Sequence, residues 1–221
     1  MKIMMADVYA FSLINDFEIE KMLNENPALY LRRMYGYLSI AINLIHTPIM
    51  YTNPKIDPPL FADLTIEMDG TTNIWTTNHF NFELAVVTQV DEDGNILDKP
   101  DVVYDPITGI ITFSVTPDAG MVMMVDFYCD GIIELGENAV NEEDYKHLLR
   151  HAMLVAWNNR FTSSALDRVQ KPSDRTFSVA SEANWLRENS NEARRSMEML
   201  NTEMIRVEQK IVLQNRLKRV R

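Results

Sequence analysis

The sequence predicts a mixed α+β protein: a helical body, an inserted antiparallel β-sandwich or barrel domain, and a long C-terminal helix. Three observations carry this expectation. Period-two alternation of apolar and polar residues is confined to residues 62–134, whereas apolar residues recur every three or four positions on either side of it. Within the β stretch, turn signals rich in Gly, Pro and Asp separate short extended runs. No helical crossover intervenes, so the strands read as antiparallel. The expected organisation is therefore N-terminal helices and an extended linker over 1–61, the β domain over 62–134, a helix and loop completing the helical body over 135–180, and the terminal helix with a basic tail over 181–221.

Asn15-Asp16 is suited to cap a short helix that ends near Leu23, with Glu18 and Glu20 placed favourably in its first turn. A second helix is expected from about Ala28 to Ile45, because Leu31, Met34, Tyr35, Leu38, Ile42 and Ile45 repeat at helical spacing. His46, Thr47 and Pro48 stop it, and Pro54, Pro58 and Pro59 keep the following residues extended. Leu64, Ile66 and Met68 alternate with Thr65 and Glu67, the pattern of a strand with one buried face. Ile74–Thr77, Phe80–Val90 and Ile96-Leu97 follow as further strands. The stretch VVYDPITGIITFSVTPDAGMVMMVDFYCDG, Val102 to Gly131, reads as a three-stranded meander. Its turns lie at Asp105–Gly109 and Thr116–Gly120, where proline presets φ and glycine supplies a positive φ.

Asn141 is a strong N-cap for the next helix, with Glu142, Glu143 and Asp144 in the first turn. Tyr145, Leu148, Leu149, Ala152, Met153, Ala156 and Phe161 supply one apolar face. Pro172 interrupts the polar link that follows. From Ser181 to about Leu217, Leu186, Ala193, Met197, Leu200, Met204, Val207 and Ile211 fit a heptad seam broken only by Ser190. Such a helix is about 50 Å long at 1.5 Å per residue, which suggests that it protrudes or packs on a neighbouring chain. A helix bent back within its own subunit is the alternative.

Composition narrows the function classes. Hydrophobic residues make up 46% of 221, enough for a folded core, and Cys129 is the single cysteine, so neither an internal disulfide nor a multi-cysteine zinc site can form. No apolar run approaches the roughly 18 residues that span a bilayer, and no leader pattern opens the chain, so the expectation is a soluble protein without a membrane partner. Charge is unevenly spread. Residues 1–140 carry 6 Lys+Arg against 21 Asp+Glu, and residues 141–221 carry 15 against 11. An acidic body disfavours nucleic-acid binding, while Arg206, Lys210, Arg216, Lys218, Arg219 and Arg221 make a basic tail suited to an acidic protein partner.

Candidate chemical sites are sparse. His147 and His151 stand one helical turn apart, but Leu148 occupies the position of a metalloprotease glutamate and the sequence offers no evident third ligand, so no metal is assigned. The acidic turn Asp91–Asn95 has its glycine fourth rather than sixth and lacks the glutamate of a calcium loop. Met121, Met123 and Met124 read as a pliable strand, and Cys129 as a packed residue with no histidine beside it. No catalytic or cofactor-binding residue is assigned, and the chain is not expected to be an enzyme.

The order of elements carries a resemblance. Helices opening with FSLINDFEIEKMLNENPALYLRRMYGYLSIAINLI, a β domain ending in TGIITFSVTPDAGMVMMVDFYCDG, a helix beginning NEEDYKHLLRHAMLVAW, and FSVASEANWLRENSNEARRSMEMLNTEM leading into a long helix together resemble tailed-bacteriophage virion proteins of the neck, the head-tail connector or adaptor class. The resemblance implies a structural protein in a homo-oligomeric, dodecameric ring that docks on portal and tail or neck proteins, located in the virion after assembly in the host cytoplasm. The β motifs also resemble phage tail and baseplate modules. A carbohydrate- or receptor-binding role through Trp75, His79 and Asp91–Asn95 is the alternative from another class. Interface candidates on the connector reading are Met197, Leu200, Met204, Val207, Ile211, Arg216, Lys218 and Arg219.

Overall fold

A computed structural model describes residues 2–10, 12–14, 17–45, 54–90, 96–135, 141–169 and 179–219. In chain order the elements are β1 (Lys2–Met4), α1 (Met5–Ala10), α2 (Phe17–Glu25), α3 (Pro27–Leu44), β2 (Lys55–Asp57), β3 (Leu60–Glu67), β4 (Ile74–Thr76), β5 (Glu83–Val90), β6 (Ile96–Asp98), β7 (Val102–Asp105), β8 (Ile110–Phe113), β9 (Val122–Cys129), β10 (Ile132–Glu134), α4 (Glu142–Val169) and α5 (Val179–Arg219). The protein is thus mixed α+β. It divides into two compact units, one of Met1–Asp16, Arg33–Ile56 and Ile132–Arg221, the other of Phe17–Arg32 and Asp57–Gly131. Among the described residues no helix is long and apolar enough to cross a membrane.

The β unit holds two antiparallel sheets, of strand order β3-β9-β5-β6 and β4-β8-β7. Strand β9 is central. It pairs with β3 from Leu60↔Cys129 to Glu67↔Val122, and with β5 from Glu83↔Tyr128 to Val90↔Val122 with a bulge between Leu84 and Val86. Met123, Val125 and Phe127 on one face are buried while Met124 on the other is exposed, and the alternation breaks only at Tyr128, which is buried as well. Those three side chains join Ile111 and Phe113 of β8, Met68 and Val87 in one apolar core, against which Trp75, Val102 and Tyr104 pack. Both sheets therefore contribute to the same core, and neither closes into a barrel.

The structure corrects the meander. Strands β7 and β8 form the expected hairpin, Val102↔Phe113 to Asp105↔Ile110, and Asp105 ties its turn by accepting from the Ile107 amide and the Thr108 hydroxyl. Strands β8 and β9 do not pair. Both edges of β9 are already occupied by eight-residue strands, so no donors or acceptors remain for β8. The segment Thr116–Gly120 instead passes between sheets. Gly120, at φ 81°, donates its amide to the Met68 carbonyl at 2.9 Å, and Met68 donates to Met121 at 2.8 Å, which prolongs the β3–β9 ladder.

The other unit is built on α4 and α5, with a small sheet of order β1-β10-β2 in which Ile3 opposes Ile133. The expected cap is present: the Asn141 side chain accepts from the Glu143 amide at 3.0 Å and its carbonyl from the Tyr145 amide. Tyr145, Leu148, Leu149, Ala152, Met153 and Trp157 are all buried. Tyr37 of α3 meets the Trp157 ring edge-on at 5.3 Å, and Arg160 donates to the Tyr37 hydroxyl while stacking over Trp157. The start of α3 was legible only in part: Asn26 accepts from the Leu29 amide, and Pro27 takes the first helical position. The cap pair Asn15-Asp16, the stop at residues 46–48, the turn Asp91–Asn95 and the link around Pro172 lie outside the described residues.

Candidate functional site

The helical hairpin of α4 and α5 contains most of the candidate residues. Lys210 reaches Asp144 at 2.5 Å and Glu203 approaches His147 at 3.5 Å, so residue numbers rise along one helix as they fall along the other and the pair is antiparallel. Leu200 and Val207 are 0% and 1% exposed, and Ala193 and Ser196 are also buried. This overturns part of the interface expectation: Leu200 and Val207 belong to the subunit's own core and face no second chain. The physical reason is a turn in the seam. The side of α5 against α4 runs through Ala193, Ser196, Leu200, Glu203, Val207 and Lys210, in steps of three and four. Half of those positions are polar because the facing α4 residues, Asp144, His147 and His151, are polar too.

Met197, Met204 and Ile211 flank this seam and are half-buried. Farther round, Ile205 and Val212 are 55% and 37% exposed, and their seven-residue spacing stacks them on one side of the helix. Lys210 lies opposite the first turn of α4. Residues 212–219 therefore continue α5 past that partner by about 10 Å. Val212, Leu213 and Arg216 are exposed there. The side chains of Lys218 and Arg219 lie outside the described residues.

The polar part of the seam brings together what the sequence left apart. His147 and His151 stand edge to face, with ring centroids 4.6 Å apart and Nε2 atoms 3.3 Å apart. Glu203, 52 residues beyond His151, places Oε2 at 3.5 Å from His147 Nε2, and one ligand atom from each of the three lies within 4.8 Å of the others. Arg206 Nε donates to the same Oε2 at 2.7 Å. His151 is 7% exposed, and among the described residues nothing hydrogen-bonds its buried Nδ1. Burial pushes its pKa down, His147 and Arg206 push the same way, and Glu203 opposes them. An open cleft of about 360 Å³ adjoins the cluster, lined by His151, Arg195, Glu198, Met199, Thr202 and Glu203. Nothing in the sequence signals the third member, since only tertiary pairing brings it near.

The remaining sequence candidates have packing roles. Trp75 packs against the β core with its Nε1 buried, and His79 meets the Phe82 ring edge-on and the Phe127 ring at a tilt; both side chains are half-buried. Cys129 is half-buried, and burial together with Asp130, Glu83 and Asp57 pushes its thiol pKa up. No protein-family model matches the sequence, and a search of curated proteins gives no match either.

Proposed function

We propose that this chain is a structural virion protein of a tailed phage, a neck or head-tail connector subunit that forms a ring through its C-terminal helix. One observation supports this above others: α5 continues beyond its partner α4, and on that extension Val212 and Leu213 are exposed beside Arg216. Apolar side chains on an overhanging helix are stabilised by covering them with another protein surface, at roughly 25 cal/mol per Å² buried. Here the covering surface is an adjacent copy, whose own patch is a different one, as in any head-to-tail ring. Arg216 and the basic residues after it then steer docking toward an acidic surface, in a ring or on a portal. On this reading the two sheets of the β unit form a small open sandwich that is carried by the ring, and the ring is dodecameric at the portal.

The test is native mass spectrometry of the full chain, alone and with a cognate portal. The expected result is a closed ring that Val212→Asp with Leu213→Asp abolishes, leaving a folded subunit of unchanged far-ultraviolet circular dichroism. A wild-type chain that stays monomeric with and without portal overturns the reading. A ring that survives the double substitution removes α5 from the interface.

A further inference from the structure

We propose that His147, His151 and Glu203 form a binding site for a single Zn²⁺ ion that clamps α5 onto α4. The spacing of the donor atoms is the main argument. Ligands about 2.0–2.1 Å from a tetrahedral zinc ion lie about 3.3 Å from one another. The two Nε2 atoms are 3.3 Å apart, and His147 Nε2 and Glu203 Oε2 are 3.5 Å apart, so two edges of the tetrahedron already exist. The third member lies within the 4.8 Å spread of the set, close enough for a turn of the Glu203 side chain to complete the face.

The donors also suit this ion by type. Two imidazoles and one carboxylate select zinc over calcium or magnesium, which take oxygen ligands. Helical spacing of four puts both histidines on one side of α4, and the antiparallel hairpin supplies the carboxylate from α5. Without an ion the two imidazoles are left short of partners. Only one of the facing Nε2 atoms can donate to the other, and among the described residues the buried Nδ1 of His151 has no partner in either tautomer. Arg206 holds Glu203 by Oε2, leaving Oε1 for the ion or sharing the first oxygen with it. The fourth zinc position goes to water from the adjoining cleft, which His151 and Glu203 both line.

Affinity is expected to be modest. Zinc-binding histidines usually donate their second nitrogen to a carboxylate or carbonyl, and lacking that partner costs about 10–100-fold. His151 lacks one among the described residues, so binding should be weaker by that factor than at a site whose histidines are both supported.

The full chain, stripped with chelator, should be titrated with Zn²⁺ by calorimetry and with Co²⁺ by visible absorption. Expected are one ion per chain, cobalt bands of tetrahedral intensity, and a melting temperature raised by excess Zn²⁺. Glu203→Gln and His147→Gln alter half-exposed side chains, so the fold should survive them. Each should weaken binding at least about tenfold and remove the thermal shift, as loss of one ligand requires. No saturable binding up to about 100 µM Zn²⁺, or binding that both ligand variants retain, overturns the site.

Discussion

Replacing Leu200 with alanine tests whether α5 is core or free surface. Leu200 is 0% exposed and sits in the seam against α4, so the substitution removes a fully buried side chain and should cost about 2–5 kcal/mol. For a chain of 221 residues, the middle of that range, about 3 kcal/mol, lowers the melting temperature by about 6–12 °C. Ile205, five residues on and 55% exposed, is the internal control; its alanine variant should stay within about 0.5 kcal/mol of wild type. Urea unfolding followed at the helical circular-dichroism band reports chiefly on the helices. Because the chain has two units, midpoints should be compared only where the slopes agree. Equal effects from the two substitutions, or no effect from Leu200→Ala, would refute the packing of α5 on its own α4.

The β unit should lose stability as pH rises from about 4 to about 6. Burial, then the hydrogen bond and charge of Asp63, raise the Asp126 pKa from 3.8 to about 6 against the pull of Arg32. The folded state thus binds the proton more tightly: its stabilisation is complete below pH 4 and lost through pH 6, by at most about 1 kcal/mol after screening of this half-exposed group. Asp126→Asn should flatten that slope in unfolding midpoints, and an unchanged slope would exclude Asp126 as its source. Gly109→Ala should destabilise by more than about 1 kcal/mol, since φ is +66° and the new Cβ meets the Thr77 carbonyl oxygen at 2.8 Å. Gly36→Ala in α3 meets nothing within 4 Å and should stabilise by about 0.5–1 kcal/mol; melting curves of the two variants should move in opposite directions. Cys129 should react with an aromatic disulfide reagent at pH 7 more slowly in the native protein than in urea, because its thiol pKa is raised; equal rates would show an open, ordinary thiol.

Elements with a long period were legible in the sequence, and pairings were not. Asn141 with its acidic run announced α4, and the turn signal Thr116–Gly120 announced the strand that follows it, β9. Strands of three residues such as β1 and β2 have too little period to register, and β10 could not be assigned to a different sheet from β9 on spacing alone. The meander failed because turn residues specify a change of direction without specifying the neighbour. The heptad on α5 failed for a related reason. Apolar counting chose Met197 and Met204, but the facing helix presents Asp144, His147 and His151, so Ser196, Glu203 and Lys210 face α4. For the same reason the third donor to the histidine pair had no local signal: a carboxylate 52 residues away is one acidic residue among many until the hairpin closes.

The pairing of β1 with β10 bears on the order in which the chain assembles. Ile3 meets Ile133, a contact spanning about 130 residues, and every residue between them must be in hand before that ladder can form. The hairpin of α4 and α5 is closed by a far shorter stretch of sequence, residues 170–178, so it can form early and independently. Met5 and Val8, buried in the finished structure next to β1, therefore spend the early part of folding with their side chains in water. During that interval the first ten residues are a sticky, unplaced apolar segment, and crowding of nascent chains at this stage is where misassembly would begin.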